Sequence, residues 1–198
     1  MTATLITGGA GYIGIGAAEE LTATGREVRV LDNLLHGQED LAQHLRDQGV
    51  EVVQGDIRDG EARKRALEGI DEVVHLAAIV GDPACARDPE ASNDINLGGS
   101  KAMVEEAKAA GAKRFVFAST CSNYGRMADP TVPITEEGEL SPVSLYAEQK
   151  VAIEQMLLSG EHAPLDVTCL RFATVYGVAP RMRFDLTVNE FTRDLWAD

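Results

Sequence analysis

Thr7-Gly8-Gly9-Ala10-Gly11-Tyr12-Ile13-Gly14 follows the apolar run Ala3 to Ile6 and opens an amphipathic stretch that reaches about Thr24. Glycines 9, 11 and 14 fit G-x-G-x-x-G, and glycines 8, 11 and 14 fit the wider G-x-x-G-x-x-G. A strand that turns through such a loop into a helix brings bare backbone close to a pyrophosphate, where side chains would stand in the way. The first N–H groups of the helix, and its dipole, then meet the negative charge. A glycine pattern alone is weak, but here it lies between a strand and a helix and is followed by an acid at the right distance. Val28-Arg29-Val30-Leu31-Asp32 reads as a second strand, and Asp32 stands 18 residues beyond Gly14. A carboxylate there accepts hydrogen bonds from an adenosine ribose and repels a 2′-phosphate. Asn33 follows it, not arginine, so the expected dinucleotide is NAD rather than NADP.

Outward from this loop, strand-like segments recur at Thr4–Thr7, Val28–Asp32, Val50–Gln54, Glu72–Leu76, Arg114–Ala118 and Asp166–Arg171. Helical periodicity fills the intervals at about 13–24, 39–48, 60–69, 93–110 and 145–159. Such alternation implies right-handed crossovers and a doubly wound parallel sheet with helices on both faces. Asn93 or Asp94 is the expected start of the long fourth helix, with Gly111 beyond its end. The main irregular stretch runs from Arg126 to Val143; a loop that long in a compact domain is usually functional or mobile.

The chain has 198 residues, enough for a sizeable core and most simply one domain. Its net charge of −14 argues against nonspecific binding to nucleic acid or an anionic membrane. The apolar runs are too short to span a bilayer, and the first residues lead into a strand with no signal-like segment. Cys85, Cys121 and Cys169 lack metal-ligand spacing and cannot all pair, which suits a reducing cytoplasm.

Tyr146-Ala147-Glu148-Gln149-Lys150 puts a phenol and an ammonium at i and i+4 on one helical face, with Ser144 as the expected N-cap. A tyrosine is a poor base near neutral pH because its reference pKa is about 10. A fixed positive charge nearby favours the phenolate. The fifth strand ends in Ala118-Ser119-Thr120-Cys121-Ser122, at the carboxyl edge where open α/β sheets place ligands. A hydroxyl there hydrogen-bonds an alcohol that is losing its proton. Cys121 is read as a small buried hydrophobe.

These separated motifs, with Gly55-Asp56-Ile57, His75-Leu76-Ala77-Ala78 and Asn96, resemble the extended short-chain dehydrogenase/reductases of the NAD-dependent sugar epimerase/dehydratase family. The resemblance covers nearly the whole chain and implies a Rossmann-type domain over 1–178, with 179–198 opening a largely absent substrate-binding region. It implies that Gly8, Gly11 and Gly14 wrap the pyrophosphate while Tyr12 and Ile13 offer backbone N–H groups. By the same resemblance, Asp32 and Asn33 are expected to hold the adenosine ribose, Asp56 and Ile57 to flank the adenine, and Leu76, Ala77 and Ala78 to line the path to the nicotinamide, with Asn96 behind. Thr120 matches the family's catalytic Ser/Thr and Tyr146 its base, and Lys150 matches the residue expected to lower the tyrosine pKa and bind the nicotinamide ribose. A nucleotide-sugar substrate and a homodimer built on helices near 93–110 and 145–159 are also implied.

Dehydratases of the family place an acid just after the catalytic Ser/Thr, whereas Cys121 and Ser122 follow Thr120 here, which counts against elimination. The remaining chemistry is redox at a carbinol: epimerisation if hydride returns to the opposite face of the keto sugar, dehydrogenase or ketoreductase action if cofactor exchanges. A shortened, non-catalytic NAD-binding module is the rival from another class. Three further features are open. Ile15-Gly16 replaces the family's usual Ser-His, and closer packing on the sheet is one reason for Gly16. Arg181 and Arg183 suit a substrate phosphate or bare solvent, and Leu186, Val188, Phe191, Leu195 and Trp196 form an apolar series that wants a cover.

Overall fold

Short β-branched and apolar runs, each broken by glycine or a polar turn, build six strands in the computed structural model, which describes residues 2–126 and 131–197. They are β1 (Ala3–Thr7), β2 (Glu27–Asp32), β3 (Glu51–Gln54), β4 (Glu72–His75), β5 (Arg114–Thr120) and β6 (Asp166–Phe172). All pairings are parallel, in the order β3-β2-β1-β4-β5-β6. The order reverses between β1 and β4, so the crevice beyond their carboxyl ends is the topological switch point. Register brings the ends into line: Thr7 is level with Leu31 on β2 and with His75 on β4.

The period-two alternation of the strands sends successive residues to two separate cores. Leu5, Leu31, Val73, Phe115 and Phe117 meet α3 (Gly60–Leu67), α6 (Ser100–Ala109) and α7 (Leu145–Leu158) on one face. Ile6, Val28 and Val30 meet α1 (Gly14–Ala23) and α2 (Glu39–Asp47) on the other. The doubly wound Rossmann arrangement expected from the alternation is present. Its second face is closed less completely, for Leu170 on the edge strand β6 is 40% exposed.

The fourth helical region is more divided than its periodicity suggests. After β4 come α4 (Asp82–Arg87), α5 (Pro89–Ser92) and a π-helical turn over Asn93–Gly99 that runs into α6. Asp88, not Asn93 or Asp94, makes the cap, accepting from the Ala91 N–H, and Pro89 follows at the position where its missing N–H costs nothing. Ser144 caps α7 as expected, accepting from the Ala147 N–H. The expected loop over 126–143 lies partly outside the described residues. Among the described residues, a last helix, α8 (Thr187–Ala197), contributes nothing to either core.

Candidate active site

The glycine-rich loop is shaped by the protein's own crowding. Gly8 has φ +70, and a Cβ there would press on the Ala77 nitrogen at 2.9 Å. A Cβ on Gly14 would strike the Gly8 carbonyl oxygen, and one on Gly9 would run into Val30. The loop therefore passes tightly between β2 and β4 and delivers its chain to the start of α1. Gly16 differs: a Cβ there would meet nothing, so sheet packing does not account for it.

Asp32, 8% exposed, ties this loop to β2. Its Oδ2 accepts from the Ala10 N–H at 3.0 Å and its Oδ1 from the Leu34 N–H at 2.9 Å. Each carboxylate oxygen retains a lone pair for a ribose hydroxyl. Leu34 is held in the left-handed region at φ 54, a costly conformation for a branched residue, at this same end of the crevice. Asn33 donates to Asp56 at 3.2 Å, and the Arg58 guanidinium on Asp56 holds that carboxyl down at about 2. Burial and then the nearby Arg181 lower the His36 pKa, so the positive charge beside the Asp32 carboxylate at this edge is that of arginine.

Asn96 sits in the π turn, buried behind the segment after β4. Its side chain accepts from the Ile79 N–H at 2.8 Å and donates to the Ile79 carbonyl at 3.0 Å, as a neighbouring strand would. It also donates to Gln149 on α7 at 2.8 Å. The backbone leading from Ala77 to Val80 is thereby locked to the helix that carries Tyr146.

At the far end, the Thr120 hydroxyl accepts from the Ser122 N–H at 3.1 Å and keeps its own proton for donation. Lys150 is buried, donates to the Ala118 carbonyl at 2.7 Å, and lies 4.5 Å from the Phe117 ring centre and 5.7 Å from that of Tyr146. Burial brings its pKa down to about 8. Burial, with Cys85 second, pushes the Tyr146 phenol up to about 12. The lowering expected from Lys150 is thus not delivered by the chain's own groups: desolvation dominates, and the one opposing charge is that of Arg183. Cys121 corrects another expectation, because it is exposed and lines the crevice while Cys85 is the buried thiol.

All these residues except Asn96 border one cleft of about 800 Å³: Gly8, Gly11, Tyr12, Ile13, Gly14, Asp32, Asn33, Asp56, Ile57, Leu76, Ala77, Ala78, Thr120, Tyr146 and Lys150. Arg181 and Arg183 border it too, and Arg183 is not free in solvent, since it grips Asp185 through two nitrogens at 3.1 and 2.6 Å.

Two supporting clusters escaped the sequence reading. Glu154, 1% exposed, takes three hydrogen bonds from Arg171 and one from Asn123, and so joins α7 to the end of β6 and the turn after Thr120. Its signal was its place four residues after Lys150, on the same helical face. The second is the hydrogen bond from the Tyr12 phenol to the Gly177 carbonyl at 2.7 Å. Nothing local foretells it, because the partners are far apart in the chain.

Comparison with known proteins agrees with this geometry. Residues 4–195 match the model of the NAD dependent epimerase/dehydratase family. The chain is 36% identical over 178 residues to a UDP-glucose 4-epimerase of Lacticaseibacillus casei, covering 88% of this chain and 52% of that protein. A solved Thermus thermophilus UDP-glucose 4-epimerase in complex with NAD superposes with a TM-score of 0.81 at 34% identity, over 89% of this chain and 56% of that one. TunA, an NAD-dependent NDP-hexosamine 5,6-dehydratase, superposes with a TM-score of 0.81 at 30% identity, over 99% of this chain and 62% of that one. The chain spans about half the length of the curated relatives it matches. With a glycine-rich loop, an acidic strand end and a Thr-Tyr-Lys set on one crevice, this chain belongs to the NAD-dependent epimerase/dehydratase family.

Proposed function

We propose that the cleft holds NAD and that the protein acts on a nucleotide-sugar as an epimerase, with Tyr146 as the base. The observation that carries this reading is the convergence of Thr120, Tyr146 and Lys150 with the loop and Asp32 on one cleft. The residues fit the cofactor: Gly8 and Gly14 make a turn no Cβ would permit, α1 starts within it, and Asp32 faces the crevice. NAD held by the loop and Asp32 would supply the hydride acceptor for the carbinol carbon and a positive charge near the phenol. Tyr146 accepts the hydroxyl proton, Thr120 hydrogen-bonds that oxygen, and Lys150 supplies a fixed cation beside them. Cys121 and Ser122 after Thr120 offer no carboxyl for elimination, which favours epimerisation over the dehydratase chemistry of TunA.

The same reading makes 1–178 the dinucleotide domain and 179–198 the opening of the substrate region. It includes a homodimer through α6 and the outer face of α7, where Leu158 is 59% exposed. A cytoplasmic setting accords with three free cysteines. Among the described residues no helix is long and apolar enough to cross a membrane.

The test is the small molecule released on gentle denaturation, read by absorbance and mass, followed by turnover of a UDP-hexose. Stoichiometric NAD or NADH is expected. Tyr146→Phe is expected to retain the dinucleotide and to lose turnover by about 100-fold or more. Purified protein that neither carries nor takes up a dinucleotide would falsify the assignment.

A further inference from the structure

The side chain of Tyr12 works away from its own loop. Its phenol donates to the Gly177 carbonyl at 2.7 Å and accepts from the Asn189 amide at 3.0 Å. Asn189, on α8, is 6% exposed and uses both ends of its side chain. Its Oδ1 accepts from the Gly177 N–H at 3.0 Å, and its Nδ2 also donates to the Arg183 carbonyl at 2.9 Å. Two side chains thus gather the glycine-rich loop, the turn at Gly177, the Arg183 backbone and α8 at one point.

Between these anchors the strap of residues 177–189 borders the dinucleotide cleft with Arg181, Met182, Arg183 and Leu186. Among the described residues, no apolar side chain of the strap belongs to either core. Phe191, Leu195 and Trp196 on α8 are 62%, 82% and 90% exposed, and α8 adds no residue to either core. The strap is held by directed hydrogen bonds that converge on the buried side chain of Asn189. Such a contact weakens as a unit when one partner is lost, because the buried Asn189 amide is then left unsatisfied.

We propose that Tyr12 and Asn189 form a latch that keeps the strap over the bound dinucleotide and sets how fast it leaves. Both are positioning residues: they act through the strap and the loop, and not on the reacting atoms. The proposal rests on the dinucleotide reading of the cleft.

The experiment loads the 198-residue chain with NADH and follows its release, on adding excess NAD, through nicotinamide fluorescence. Amide hydrogen exchange over 177–189 is measured in parallel, with and without dinucleotide. Tyr12→Phe keeps the ring and removes the hydroxyl; Asn189→Asp keeps the acceptor for Gly177 and removes the donors. Each is expected to speed release by roughly tenfold and to raise exchange in the strap. Thr192→Ala, which removes only a hydroxyl bonded to the Val188 carbonyl within α8, is expected to release at the wild-type rate. If both latch variants raise strap exchange yet release NADH at the wild-type rate, the latch is overturned and the dinucleotide reading stands. If wild-type protein binds no dinucleotide, that reading fails and the latch with it.

Discussion

His75 shows how far burial governs single groups in this site. It is 1% exposed, bonded to the Thr7 hydroxyl at 2.8 Å and the Ser100 hydroxyl at 2.9 Å, and desolvation brings its pKa down to about 3. The unfolded chain binds a proton near 6.5 that the folded chain refuses, so stability falls as pH drops from 6.5 towards 3. The contribution from one proton is at most about 1.4 kcal/mol per pH unit. Urea unfolding at pH 6.5, 6 and 5 is expected to show this loss in the wild type, and His75→Gln is expected to have the shallower dependence. Gly16 makes the opposite case, an exposed helical position with open space at its missing Cβ. Gly16→Ala is expected to stabilise by about 0.5–1 kcal/mol in the same assay, since glycine costs backbone entropy in a helix and nothing here offsets it.

At the scale of elements, polar ties fix the site's pieces to one another beyond the apolar core they share. The π turn at Asn93–Gly99 turns Asn96 inward, where it meets both Ile79 and Gln149. Short π segments of this kind often mark functional positions. Glu154 and Arg171 fasten α7 to β6, and Asn123 draws in the turn that presents Thr120. Removing Arg171 leaves a carboxylate buried with one remaining donor. Arg171→Met is expected to cost about 3 kcal/mol or more in urea unfolding. The double variant Glu154→Met, Arg171→Met is expected to recover most of that loss, because two apolar groups need no partner. A double-mutant cycle checks both, and additive losses would reject the pair as a coupled unit.

For the whole molecule, the cleft at the switch point is the place where ligand binding and global stability meet. A dinucleotide that binds the folded chain alone raises stability by about 2.7 kcal/mol at 100 times its Kd. NAD is therefore expected to raise the thermal midpoint, and NADP at equal concentration to raise it much less, because the Asp32 carboxylate lining the cleft would repel a 2′-phosphate. Equal shifts from both would remove Asp32 as the selecting group. The apolar side of α8 and the open flank of β6 lie away from this cleft, and their exposure distinguishes this chain's carboxyl-terminal part from its well-covered amino-terminal strands.

The alternation of strands and helices, the glycine loop, Asp32 and the Tyr-Lys pair were legible because each is a local pattern, set by periodicity or by spacing on one element. Their meeting on a single cleft also followed, since a parallel sheet brings all its strand ends to one edge. The divided helix at 82–109 was not legible, because the cap at Asp88 and the π turn depend on what Asn96 reaches across space. Burial was decided only by the tertiary structure: it left Cys121 open to the cleft, raised the Tyr146 phenol, and enclosed the Glu154–Arg171 pair. The Tyr12–Asn189 contact spans 177 positions, and no local pattern carries that information. Sequence spacing sets which groups share an element, and desolvation and distance, which exist only in the folded chain, set what those groups do.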